Sequence, residues 1–116
     1  MSRIPANCDQ SQIDAYFQQE LAAARPVLES RDGGFAYVAE FDRELFSLTI
    51  YVEHESYSDR LVIDCETPNH FTGPLEWQNC KLRLTRNAEF VLTDVGAGVV
   101  VRSCIVNVGE TPTPPS

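Results

Sequence analysis

The chain has few basic residues. Nine lysines and arginines stand against seventeen aspartates and glutamates in 116 residues, which gives a formal net charge of −8 and a pI of about 4.6. Proteins that bind nucleic acids or anionic membranes draw on lysine and arginine to neutralise phosphate groups. The sequence therefore predicts neither a nucleic acid nor a membrane as a direct partner.

Targeting and membrane-spanning signals are also missing. The N-terminal residues Met-Ser-Arg-Ile-Pro-Ala-Asn lack the apolar core of a secretory signal peptide. A membrane-spanning helix needs roughly 18 apolar residues in a row, and the longest apolar run, residues 99–106, is interrupted by Arg102 and Ser103. We therefore expect a cytoplasmic protein with reduced thiols.

The sequence has no close pair of cysteines. Cys8, Cys65, Cys80 and Cys104 lie far apart, whereas zinc sites usually draw ligands from cysteines about two to four residues apart. Adding His70 produces no known ligand spacing. We predict no metal and no other cofactor, and we expect Cys65 and Cys104 to serve as small apolar residues within strands.

Motifs of common enzymes are missing as well. The chain has no glycine-rich phosphate loop, no Gly-x-Ser-x-Gly, no His-Glu-x-x-His and no EF-hand calcium loop. His54 stands between Glu53 and Glu55 and could act as an acid–base group or a pH switch. An exposed residue at a strand end explains it more simply, so the sequence does not predict an enzyme.

What is present begins with a helix, predicted over about residues 10–25. An apolar stripe at helical spacing is formed by Ile13, Phe17, Leu21 and Ala24. Asp9 can cap the helix, with Gln12 in the capping-box position. Asp14 near the start and Arg25 near the end complement the helix dipole, and Pro26 should stop the helix.

Six short strands are predicted after the helix. The clearest covers residues 44–54, where Phe46, Leu48, Ile50 and Val52 alternate with Ser47, Thr49, Tyr51 and Glu53. Because successive strand side chains point to opposite faces, the first set should face a core and the second should face water. The other strands are predicted at residues 35–41, 60–66, 81–85, 88–93 and 99–108, with a turn at residues 86–87 between the fourth and the fifth.

The remaining segments set the expected domain organisation. Residues 67–79 contain two prolines and a glycine and are predicted to be irregular. Residues 109–116 are predicted to form a disordered tail rich in proline and threonine. The sequence therefore predicts one α+β domain over residues 1–108, with the helix packed on an antiparallel, meander-like sheet of about six strands.

The acidic residues suggest a function. Nine of them fall in residues 32–66, beside only two arginines, and such a surface either aids solubility or attracts a basic partner. We favour a small non-enzymatic interaction module of the inhibitor, neutralising or antagonist type, which docks a basic protein surface. The predicted partner-binding residues are Tyr51, Glu53, His54, Glu55, Asp59, His70, Phe71 and Trp77.

Two alternatives remain open at this stage. One is a ligand-binding or minor enzymatic domain whose pocket lies between helix and sheet and uses His70, Trp77 and a carboxylate. The other is a structural subunit of a larger assembly. Phe71, Leu75 and Trp77 also have two interpretations, since they could close one end of the core or form an exposed anchor for a partner.

Overall fold

One helix and seven strands form the described part of the chain. The computed structural model describes residues 10–44 and 46–112. The elements are α1 (Gln10–Ser30), β1 (Phe35–Asp42), β2 (Ser47–Glu53), β3 (Asp59–Thr72), β4 (Glu76–Trp77), β5 (Arg83–Asn87), β6 (Glu89–Asp94) and β7 (Val99–Pro112). This confirms the α+β class. Within the described residues, no helix is long and apolar enough to cross a membrane.

The strands form one antiparallel sheet that curls into a half-barrel, in the order β4-β1-β2-β3-β7-β6-β5. The predicted six-strand meander is therefore wrong in strand count and in order, because β7 lies between β3 and β6. The cause is the length of β3 and β7, which have 14 residues each and pair from Asp59 opposite Pro112 to Thr72 opposite Val100. Hydrophobic periodicity within single strands contains no information about such a distant pairing.

Two segments predicted to be irregular belong to the sheet. β3 continues through Pro68 to Thr72, and the pairing with β7 shifts register between Pro68 and His70. A bulge tolerates proline because a ladder hydrogen bond is interrupted there. At the other end of the pairing between β3 and β7, residues 109–112 pair with β3 instead of forming a tail. Residues 113–116 of the predicted tail lie outside the described residues.

The core follows the predicted alternation with two exceptions. The side chains fully or almost fully buried on β2 and β3 are Leu48, Ile50, Val52, Leu61, Ile63 and Cys65. Phe46, which was predicted to face the core, is 61% exposed because it precedes β2 in a left-handed conformation with φ of 50°. Cys104 lies in β7 but is exposed, so the expectation that it packs in the core is wrong.

The helix is longer than predicted. α1 continues through Pro26 to Ser30, although proline removes a helical hydrogen bond and crowds the preceding turn. Burial of Leu28 against the sheet favours the extra turn. Because the last turn has no basic residue and the first turn has no acidic one, the predicted dipole roles of Arg25 and Asp14 are wrong. The proposed Asp9 cap lies outside the described residues.

The hairpin of β5 and β6 is displaced from its predicted position. β5 begins at Arg83, and the turn centres on Ala88, whose φ of 67° allows Asn87 to pair with Glu89. The predicted turn at residues 86–87 is therefore wrong by one to two positions. Phe90 and Leu92 face the core.

Candidate docking face

The outer face is the side of β1, β2 and β3 that points away from the core. A bulge at Ala39 decides which β1 residues reach it, because the pairing with β2 shifts between Val38 and Glu40. Beyond the bulge, Glu40 lies opposite Thr49, on the outer face. The bulge therefore interrupts the alternation of β1, and Phe41 lies on the inner face opposite Leu48.

Four carboxylates lie on the outer face in two neighbouring rows, which we call the acidic rows. The first runs across three strands as Glu40, Thr49 and Asp64, and the second as Asp42, Ser47 and Glu66. Paired strands are about 4.8 Å apart, so the acidic side chains share one compact surface. Thr49 Oγ1 donates a hydrogen bond of 2.9 Å to Asp64 Oδ1.

Three of the four carboxylates in the acidic rows form no ion pair with another described residue. The ion pairs of the described residues join Arg31 to Glu110, Arg83 to Asp32 and Arg102 to Glu89, all away from these rows. Glu40, Asp64 and Glu66 take part in none of them. The carboxylates therefore leave a local excess of negative charge on an otherwise regular sheet face.

An aromatic cluster adjoins the acidic rows on the same face. The Tyr37 hydroxyl donates to Glu53 Oε2 at 2.6 Å and accepts from Arg60 Nη1 at 3.1 Å. The Arg60 guanidinium lies 3.7 Å from the centre of the Tyr51 ring. Burial raises the pKa of Tyr37, and the hydrogen bond to Glu53 acts in the same direction. The hydroxyl therefore remains protonated at neutral pH and holds the cluster together.

Five of the eight predicted partner-binding residues lie on β2 or between β2 and the start of β3. Tyr51 and Glu53 belong to the aromatic cluster, and His54, Glu55 and Asp59 follow them along the chain. The His54 Nδ1 atom accepts a hydrogen bond of 3.0 Å from the Ser56 amide. The ring of Tyr57 packs edge-on against His54 and lies 3.5 Å from the buried Arg31 guanidinium.

The other three predicted residues lie elsewhere. His70 and Phe71 are at the far end of β3, opposite Arg102 and Val101. His70 is exposed, with Nε2 2.6 Å from the Thr72 hydroxyl, whereas Phe71 packs partly against the core. Trp77 is only 8% exposed, which supports its interpretation as part of the core closure. Sequence reasoning thus grouped residues that the sheet separates.

Trp77 closes the seam of the half-barrel. Its Nε1 atom donates to Asp94 Oδ2 at 2.8 Å, and the Lys81 amide donates to the same oxygen at 2.8 Å. An open depression of about 490 Å³ lies beside this seam, bordered by Trp77, Lys81 and Asp94 but not by His70. The trio of histidine, tryptophan and carboxylate expected for a ligand pocket is therefore assembled only in part.

The thiols and metal-ligand residues show no reactive arrangement within the described residues. No group of three or more histidine, cysteine, aspartate or glutamate side chains there could hold a metal ion. Burial raises the pKa of Cys65 to about 12 and that of Cys80 to about 11. Both thiols are therefore protonated, and so poorly nucleophilic, at neutral pH.

Sequence reasoning missed the residues that extend the site across the sheet. Tyr37, Glu40 and Asp42 lie on β1, and their common face becomes visible only when the bulge at Ala39 is known. Asp64 and Glu66 lie on β3, and their neighbours across β2 depend on the strand order. In comparisons with known proteins, the chain matches no family model, no curated protein and no solved structure.

Proposed function

We propose that the chain is a small acidic protein-interaction module that docks a basic surface of another protein through the outer face. The observation that carries this proposal is the pair of acidic rows, in which four carboxylates share one sheet surface and three of them form no ion pair with a base in the part of the chain that the structure describes. An inhibitor or a neutralising protein of a basic target would use such a surface.

The physical basis is complementary charge at a rigid surface. A concentrated negative field raises the rate at which a basic partner meets the face and excludes acidic proteins. The sheet fixes the carboxylates before binding, so little side-chain and backbone ordering has to accompany association. The neighbouring Tyr37 and Tyr51 supply aromatic contact area, which is a frequent source of affinity in protein interfaces.

The test is a charge reversal with a charge-matched control. One variant carries Glu40→Lys and Asp64→Lys in the acidic rows, and the other carries Glu20→Lys and Glu29→Lys on exposed positions of α1. Both changes raise the net charge equally. Immobilised wild-type protein and both variants are exposed to an extract of the source cells, and retained proteins are quantified by mass spectrometry over a range of salt concentrations.

The proposal predicts a retained protein with a basic surface that the α1 variant still binds and the acidic-row variant loses. Retention by the wild type should fall as salt rises, because the contact is electrostatic. Equal retention of every protein by the two variants would show that the outer face is not the docking surface.

A further inference from the structure

Over residues 39–41, the edge of β1 that faces away from β2 pairs with no other described strand. On the edge opposite β2, β1 pairs with β4 only at Ala36 and Tyr37. The last contact on this edge is the hydrogen bond from the Val38 amide to the Leu75 carbonyl, at 2.8 Å. Among residues 10–44 and 46–112, no other segment pairs with β1 on that side. An unpaired strand edge is a template for an added strand.

The open edge results from the path of the chain before β4. The pairing with β1 ends after the Val38–Leu75 bond, and the chain leaves the ladder at Pro74 and Gly73. Gly73 is held against Val99, with φ of 134°, and a Cβ atom there would lie 2.9 Å from Val99 Cγ2. The preceding chain therefore turns away from β1, and no described segment continues the pairing beyond Val38.

Side chains of different character flank this edge on its two faces. Glu40 and Asp42 project on the outer face, whereas Phe41 projects on the inner face opposite Leu48 and is 58% exposed. A strand laid along the edge alternates its own side chains in the same way. It would meet carboxylates with every second residue and an aromatic ring with the residue between them.

We infer that the edge at residues 39–41 binds an extended segment of a partner in which basic and apolar residues alternate, and that this segment joins the sheet as an additional strand. The inference rests on the proposed function, and it names the part of the basic partner that makes the contact. Backbone hydrogen bonds supply affinity in such strand addition, and the alternating side chains supply specificity.

A second copy of this chain does not fit the same edge. Pairing two β1 edges would bring Glu40 and Asp42 of one copy close to the carboxylates of the other, and like charges across paired strands are destabilising. Acidic residues on an edge strand are one device by which proteins prevent edge-to-edge association of identical copies. A basic strand meets attraction where a second copy meets repulsion.

The backbone orientation identifies the amide that the added strand should engage. The Val38 amide points away from β2, toward Leu75. The bulge inserts Ala39 before Glu40, which pairs with Thr49. Beyond the bulge, the alternation of amide directions along β1 is therefore shifted by one residue. The amide of Phe41 is therefore directed at the open edge.

The test uses two synthetic peptides of equal charge, one containing Lys-Val-Lys-Val-Lys and the other Lys-Pro-Lys-Pro-Lys. Both are titrated into the full chain at low salt and followed by backbone amide NMR. We expect the valine peptide to bind at least about tenfold more tightly than the proline peptide, because proline cannot donate to a ladder. Its signals should change at residues 39–41, and exchange of the Phe41 amide proton should slow.

Two variants separate the backbone contribution from that of the ring. Phe41→Pro removes the outward amide and the ring, whereas Phe41→Thr removes only the ring. The first should reduce binding of the valine peptide by about tenfold or more and the second by a few-fold. Because Phe41→Pro can also disturb folding, the exchange rate of the Phe41 amide in the wild type provides an independent measurement.

The outcomes distinguish this inference from the proposed function. If both peptides bind equally and perturb Asp64 and Glu66 but leave Phe41 exchange unchanged, strand addition is wrong and charge docking at the outer face stands. If neither peptide binds, the edge does not accept a basic strand. The acidic-row variants then decide separately whether the outer face docks a folded partner.

Discussion

At the scale of single residues, Ala39 determines the chemistry of β1. Because this residue adds one position to the strand, Tyr37 and Glu40 share the outer face, and Phe41 joins the inner one. Without the bulge, Glu40 would project toward the core side and the first acidic row would lose a member. One small side chain therefore sets both the charge of the outer face and the character of the open edge.

The buried thiols predict a loss of stability at alkaline pH. Burial raises the pKa of Cys65 from 9.0 to about 12, so the folded chain keeps a proton that the unfolded chain releases above about pH 9. The free energy of unfolding should therefore be unaffected below pH 9 and should fall as pH rises from about 9 to about 12. The slope for one thiol is at most about 1.4 kcal/mol per pH unit.

Urea denaturation at several pH values between 7 and 10.5 measures this slope. Cys65→Ala should lower stability at pH 7 through lost packing but make the alkaline decline shallower. Cys104→Ala, which changes an exposed thiol, is the control and should keep the wild-type slope. Identical slopes for the wild type and Cys65→Ala would contradict the prediction.

At the scale of elements, α1 contains an unfavourable residue that its packing overcomes. Pro26 is exposed and withholds the amide that would otherwise bond to the carbonyl of Ala22. Pro26→Ala should therefore increase the free energy of unfolding, by up to about 3 kcal/mol. Thermal and urea unfolding measure the gain. Arg25→Ala, at the neighbouring exposed position, is the control and should stay within about 0.5 kcal/mol of the wild type. If Pro26→Ala were instead less stable than the wild type, the proline ring would contribute stabilising contacts and the prediction would be wrong.

Local sequence patterns predicted those elements whose structure depends on near neighbours. The alternation in β2 and in the first half of β3 identified Leu48, Ile50 and Ile63 as core residues, because a half-buried strand has a period of two. Pro26 and Pro68 were misleading, since each is a local breaker that tertiary packing or a bulge accommodates. Propensity is a weak guide where long-range contacts oppose it.

The candidate site was predictable to a similar extent. Tyr51 and Glu53 could be placed on an outward face from β2 alone. Grouping Glu40 with Asp64 requires the bulge and the pairing of three strands, and neither has a periodic signal. His70 and Trp77 lie apart from the outer face for the same reason, because proximity in a loop-rich stretch of sequence does not imply proximity in the sheet.

At the scale of the whole molecule, a seam joins the two ends of the sheet. The Gly33 amide bonds to the Cys80 carbonyl, and the Cys80 amide bonds to the Gly34 carbonyl. Arg83 binds Asp32 with two hydrogen bonds of 2.8 and 2.7 Å, and this contact lowers the pKa of Asp32 and raises that of Arg83. The helix–strand connection thereby holds β5 close to β1.

The buried Asp94 makes the seam sensitive to a conservative change. Trp77→Phe removes the donor to Asp94 Oδ2 and leaves only the Lys81 amide on that oxygen. The variant should lose about 1–3 kcal/mol of stability, because a buried carboxylate is left short of a partner. Urea unfolding followed by far-ultraviolet circular dichroism measures the loss without requiring the indole as a probe. Leu75→Ala, at a nearby exposed position, should have little effect, and equal losses in the two variants would rule out the Asp94 bond as the cause.

The pairing of β3 with β7 also governs the order of events during biosynthesis. The ribosome releases β3 long before β7, so an emerging chain carries a central strand with β2 on one side and nothing on the other. Pairing between distant segments is slow to form, and the exposed edge of β3 is meanwhile open to other nascent chains. Production of folded protein should therefore depend on temperature and on the rate of translation more strongly than its small size suggests, and chaperones that shield strand edges should raise the yield.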